Sequence, residues 1–300
     1  MKSPPKESFK GTLMSIKVLV SITATLILTA ATAFGADSNF TRTLSAGSSP
    51  NVSVSTGSGY IHLHPGSGDQ VQIVAHVHSS HGWMSGGGDV DGRIQQIVSN
   101  PPIVQSGNDI TIGEHHNNSD LYRNITIDYE ITLPRSSTIN SATGSGDVEI
   151  QDVGASVKAQ SGSGNVHVNG VQGPTTLGTG SGDIELQQTG PGDVKAETGS
   201  GNIRLHGLAG ALKASTGSGN IEAEGQPTSD WKLSTGSGNV NLTVGSAHFN
   251  LDADTGSGNI SVAQPMTMQG SLNRHHVNAV VNGGGPTLRI GTGSGDIQIK

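Results

Sequence analysis

Five of the twelve histidines fall within twenty residues: His62, His64, His76, His78 and His81. Each His-x-His pair alternates with apolar residues, Ile61/Leu63 and Ala75/Val77, so both pairs read as outward positions of strands. If those strands are neighbours, His62, His64, His76 and His78 share a face and offer imidazoles to Zn²⁺, Ni²⁺ or Cu²⁺. The alternative is a solvated polar face, since no ordered carboxylate is evident nearby to orient the rings. His115-His116 and His275-His276 are adjacent pairs, which face opposite ways if extended.

Lysine is the second candidate. Lys195, Lys213 and Lys232 recur at steps of 18 and 19, with Lys158 further upstream. Such a row can bind an acidic polymer such as a uronate polysaccharide or teichoic acid; otherwise it splays into water, partly neutralised by Glu197. Carboxylates make a weaker case for catalysis. Glu149, Glu185 and Glu222 stand two repeats apart, roughly 10 Å at the strand spacing, beyond the ~6.5–9.5 Å of an inverting glycosidase pair. No nucleophile elbow is present. A Gly-Ser-Gly-Asp corner is similar to the calcium nonapeptide, but Asp follows glycine without a spacer and five corners carry Asn, leaving few carboxylates for the ion. The chain has no cysteine, which removes disulfides, Cys–metal sites and thiol nucleophiles. The expectation is a protein that is not an enzyme and carries no cofactor.

What positions these residues is a repeat. Gly-Ser-Gly occurs ten times, beginning at Gly57, Gly66, Gly144, Gly162, Gly180, Gly199, Gly217, Gly236, Gly256 and Gly293. From Gly144 the steps are 18, 18, 19, 18, 19, 20 and 37, the last read as two periods around one degenerate copy. The second glycines are Gly146, Gly164, Gly182, Gly201, Gly219, Gly238, Gly258 and Gly295. Asp147, Asn165, Asp183, Asn202, Asn220, Asn239, Asn259 and Asp296 follow them. Apolar columns lie four and six residues after the first glycine (Val148 and Ile150 in the first copy) and five and three before it (Ile139 and Ser141). A spacing of two is the period of a strand, so each repeat holds two short strands joined at a T-G-S-G-[DN] corner. An 18-residue unit cannot bury its own apolar face, but stacked copies can. The fold class is therefore all-β, a parallel β-solenoid or β-helix with coils of ~18–19 residues. Nine coils from residue 139 to 300 would make a rod of roughly 43 Å at the strand spacing.

The corner glycines are expected to supply positive φ, and the Asp/Asn column to form a side-chain ladder. Thr143, Thr179, Thr198, Thr216, Thr235 and Thr255 place hydroxyls at the same corner, where they can satisfy the turn.

Composition agrees. Glycine contributes 45 of 300 residues and aromatics only 3%, about twice the usual glycine share of ~7%. Large side chains are too few for a thick aromatic core. Residues 18–34, VLVSITATLILTAATAF, follow Lys10 and Lys17 and read as an exported leader, cleaved after Ala33, Gly35 or Ala36. Residues 1–36 carry +3 of the chain's −7, so the remainder carries −10. An acidic exported chain is a poor nucleic-acid binder, and no second apolar run is long enough to span a membrane.

These repeats, with Ile131-Thr132-Leu133-Pro134 before the first regular coil and Gly283-Gly284-Gly285-Pro286 before the last, resemble a bacterial domain family of unknown function. It is described as adhesin-like and is built of β-strand repeats. The resemblance covers about residues 40–300. It implies a β-helical fold, right-handed, and an exported or surface location, with no established chemistry. The organisation expected is a signal peptide (1–36), an irregular β region capping the solenoid (37–138), and the regular solenoid (139–300). Its partner would be an envelope polysaccharide or a surface protein. The final coil, ending at Lys300, would leave an edge for end-to-end self-association.

Overall fold

The structure is a computed structural model and describes residues 38–80, 89–113, 120–269 and 273–300. The leader and its cleavage site, His81 and the pair His115-His116 lie outside the described residues. Two long sheets of twelve and thirteen strands face each other across one core. In each regular coil a strand before the corner, such as Thr138–Thr143, lies in one sheet. The strand after it, such as Val148–Gln151, lies in the other. Copies then stack in parallel and in register. Ile61, Val148, Val166, Ile184, Ile203, Ile221, Val240 and Ile297 form one continuous buried column. The period-two pattern alone produces this: inward residues are buried and those between them face solvent. No helix among the described residues is long and apolar enough to cross a membrane.

The corner is built differently from the sequence expectation. Of the corner glycines in the regular coils, only Gly295 has a positive φ, at 151°. Glycine is required instead by the close approach of successive coils. A Cβ on Gly164 would overlap the carbonyl oxygen of Gly146 in the coil below, and the same clash recurs at every regular corner. The Asp/Asn column also works otherwise than as linked side chains. Except at Asn259, in the end coil, each Oδ1 accepts the backbone N–H of its counterpart in the next coil: Asn165 N–H donates to Asp147 (2.7 Å), Asp183 to Asn165 (2.9 Å) and Asn202 to Asp183 (2.7 Å). Only an acceptor oxygen is needed, which is why Asp and Asn interchange. One further link, Asn202 Nδ2 to Asp183, is long at 3.4 Å. The threonine hydroxyls point inward and donate to a glycine carbonyl of the adjoining coil, as Thr198 Oγ1 does to Gly182 (2.9 Å).

Coil order in space departs from coil order in sequence at both ends. Strands Asn51–Thr56 and Ile61–Pro65 stack directly under the coil of Gly144, inside the regular rod. Gly66 lies in a turn between Ile61–Pro65 and Gln70–Ser79. At the other end, the described residues of 263–286 do not form a degenerate coil. They supply the antiparallel strands Met266–Met268 and His276–Val281, the latter pairing with Phe249–Ser257. The coil of Gly293 is inserted between those of Gly236 and Gly256, so residues 139–300 hold eight coils, not nine. Ile297–Ile299 is paired on both sides, and the sheet edges are Ile260–Val262 and Met266–Met268. The expected open edge at Lys300 is therefore absent: Lys300 N–H donates to Leu242 O (2.9 Å).

At the opposite end Ser38–Ser45 pairs antiparallel with Gln70–Ser79. The helix Val90–Ser99 packs against both strands, burying Ile94 and Ile97. Its first turn is capped by Asp89, which accepts from Gly92 N–H (2.9 Å).

Candidate functional site

The two outward faces of the rod carry different chemistry. On the pre-corner sheet, register places Lys158, Thr176, Lys195, Lys213, Lys232, Arg289 and Asp252 side by side, one per strand. Arg289 extends the lysine row to four consecutive cations. It was hidden in the sequence, because the 37-residue step separates it from Lys232 in the chain while the inserted coil makes them neighbours. Cations on adjacent strands stand ~4.8 Å apart.

Glu197 stands beside the row, in register with Gly178 and Ser215. It receives Lys195 Nζ at 2.8 Å and Lys213 Nζ at 2.7 Å. Those two hydrogen bonds hold its carboxyl below the ordinary value of 4.5. Lys158 and Lys232 have no ion pair among the described residues, and Arg289 approaches Asp252 only at 3.8 Å. Beside the row is a shallow depression of about 310 Å³, lined by Thr176, Asp193, Lys195 and Lys213 among others.

Glu197→Gln is expected to leave the melting temperature at pH 7 nearly unchanged, because exposed ion pairs are worth ~0–1 kcal/mol. A carboxyl with a depressed folded pKa stabilises above its unfolded pKa, and that contribution is lost as pH falls through the folded value. The difference between wild type and variant should therefore begin to shrink as pH falls past the unfolded value of ~4.3 and be gone once pH is below the folded value. Thermal melts at pH 7 and pH 3 check this. A difference that grows on acidification would contradict it.

The post-corner face alternates acid and base. Its register reads Glu130, His62, Glu149, His167, Glu185, Arg204, Glu222. His62 Nε2 lies 3.5 Å from Glu149, and His167 Nδ1 lies 3.3 Å from Glu185. His206 similarly meets Glu224 at 3.1 Å. A groove of about 400 Å³ runs here between Glu149, Gln151, His167, Asn169, Glu185 and Gln187. Asp183 closes the corner. Burial alone would raise its pKa, but the backbone and side-chain N–H groups of Asn202 and the Arg204 guanidinium together hold it below the usual carboxylate value. Every pair of the three glutamates is separated by an imidazole or a guanidinium, so none shares a site with another.

The four N-terminal histidines do not converge. Strand Ile125–Leu133 runs between Ile61–Pro65 and Gln70–Ser79, so the two His-x-His pairs are second neighbours, not adjacent. The outward row Asp128, Glu130 and Thr132 divides them. His78 pairs with Asp128 (3.0 Å), His76 with Asn39 (2.9 Å) and His62 with Glu149, while the His62 and His64 rings lie 6.2 Å apart. Nothing in the spacing of residues 62–78 revealed that a strand fifty residues later would enter between them. The corner Asp and Asn residues other than Asn259 are likewise occupied, each Oδ1 by the next coil's amide.

Structural comparison finds similar chains among solved structures. A candidate cell adhesion protein from Clostridium sporogenes is 12% identical, covering 88% of this chain and 99% of that one, with a TM-score of 0.25. A candidate adhesin from Bacteroides fragilis is 11% identical over 88% and 97% of the two chains, with a TM-score of 0.38. A candidate adhesin from Parabacteroides distasonis is 10% identical over 87% and 97%, with a TM-score of 0.25. No curated protein matches the chain. The Toastrack family model DUF4097 matches residues 67–300, which take in the coils of residues 139–300, and the chain belongs to that family.

Proposed function

We propose that this protein is an exported, non-enzymatic interaction module of the cell envelope or surface, adhesin-like in action, whose basic row binds an anionic polymer. The observation that carries the reading is the run Lys195, Lys213, Lys232 and Arg289 on adjacent strands of one face, in a chain of net charge −7. An extended acidic polysaccharide carries one carboxylate per sugar ring, a repeat of the same order as the coil pitch. Each contact is weak and exposed, but a rigid row makes successive contacts intramolecular, so they add. The small outward residues Ser215, Ser234 and Gly291 beside the cations leave the row open to a chain lying across the coils.

The test is binding of the purified chain to polygalacturonate, with neutral dextran as control. The triple variant Lys213→Gln/Lys232→Gln/Arg289→Gln should bind at least about tenfold more weakly and show a shallower salt dependence. Equal binding by wild type and triple variant would overturn the reading. Release of soluble sugar would point to a carbohydrate-active enzyme instead.

A further inference from the structure

We propose that Asp252, Asp254 and His276 form a surface site for a divalent first-row transition ion of the Zn²⁺ type, at the end of the rod capped by residues 263–286. The site arises from the antiparallel pairing of Phe249–Ser257 with His276–Val281, which sets Asp254 opposite His276 and Asp252 opposite Asn278. Asp252 and Asp254 are two residues apart, so they share the outward face with both partners. One ligand atom from each of Asp252, Asp254 and His276 lies within 4.8 Å of the others. Donors ~2.1 Å from one zinc ion lie at most ~4.2 Å apart, so a small rotation of exposed side chains closes the set.

Three features favour an ion here over an ordinary ion pair. The set mixes two carboxylates with an imidazole, the donor chemistry of zinc more than of calcium. His276 Nδ1 already meets Asp254 Oδ1 at 2.6 Å, so the ring is held against the carboxylates. The strand on the other side places Gly291 beside Asp254, with open space where a side chain would begin. Asn278, opposite Asp252, puts a side-chain amide on the same face. Arg289, 3.8 Å from Asp252, is a cation that competes. Bound there, the ion would clamp the capping strand to the last coil, so its effect is on the stability of that end.

The experiment is calorimetric titration of ZnCl₂ into the untagged chain, paired with thermal melts with and without EDTA. One equivalent of Zn²⁺ should bind saturably and raise the melting temperature, with EDTA reversing the rise. His276→Ala and Asp254→Asn should each weaken binding at least tenfold, while His62→Ala/His64→Ala should leave it unchanged. Asp254 and His276 are exposed and His62 and His64 half-buried, and far-ultraviolet circular dichroism checks that the variants fold. Arg289→Gln should tighten Zn²⁺ binding while weakening polymer binding, so the two assignments fail separately. No saturable uptake by wild type, or uptake undiminished in His276→Ala, would overturn the proposal. So would binding of Ca²⁺ alone without need of the imidazole.

Discussion

Alanine at Gly201 is expected to destabilise the protein by about 3 kcal/mol or more, whereas alanine at Gly178 should be neutral or slightly stabilising. Both glycines lie in regular coils and neither has a positive φ. They differ in what a methyl group would meet. At Gly201 it overlaps the carbonyl oxygen of Gly182, with Asp183 N close behind, all backbone atoms of the coil below. Backbone cannot yield as a side-chain tip does. The coils must separate locally, which strains the ladder bonds between them, Ile184 N–H to Asn202 O (2.9 Å) and Asn202 N–H to Asp183 Oδ1. At Gly178 the nearest atoms are 3.8 Å away, ordinary contact. There the added Cβ mainly restricts the unfolded chain. Thermal melts should separate the variants by roughly 6–12 °C, at ~2–4 °C per kcal/mol for a chain of this size. Proteolysis should open the Gly201 variant near the middle of the rod. If both variants melt alike, close coil approach is not what glycine serves here.

Trp231→Ala should have an effect of similar size, about 3–5 kcal/mol, from lost burial and the cavity left behind. Trp231 is 1% exposed and stacks in register between Leu212 and Leu288. Most positions of that column hold aliphatic residues, so no neighbour is long enough to fill the space. Its indole N–H donates to Gly210 O (2.9 Å), at the far corner of the coil. Trp231→Phe keeps most of the volume and loses only that donor, for about 1–3 kcal/mol. The order of melting temperatures should therefore be wild type, then Phe, then Ala. Lys232 follows on the same strand and Arg289 on the next, so Trp231→Ala should also weaken polymer binding. A Trp231→Ala variant that melts with the wild type would show that the inserted coil is held by other means.

Much of this was legible in the chain. The repeat of 18–20 residues, the apolar columns and the Gly-Ser-Gly corner are written in the sequence, and the buried columns run through the residues that period two selects. The lysine row was visible for the same reason, since columns of a repeat become rows of a stack. What the corner residues do was not. Glycine permits both positive φ and close approach, and Asp and Asn can both link side chains or cap an amide. Only the distance between coils decides. The His-x-His pairs were correctly placed outward, but their separation depends on strand Ile125–Leu133, which arrives from far along the chain.

The amino-acid sequence by itself determined the unit: a two-stranded coil, its inward and outward columns, and the side chains each row displays. Tertiary structure alone decided the order of the units. All coils share one register, so any coil can stack on any other, and local pattern contains no preference among neighbours. The choice falls to the connections. Residues 244–248 carry the chain past one vacant level, His276–Val281 covers the outer side of Phe249–Ser257, and the turn at Asn282–Gly285 brings the last coil back into the gap. Asn282 and Asn250 fasten that crossing, through Ala247 O (2.9 Å) and Gly285 O (2.7 Å). The return places Arg289 beside Lys232 and Asp252, and so assembles the end of the basic row and the flank of the proposed metal site from residues that are far apart in the chain.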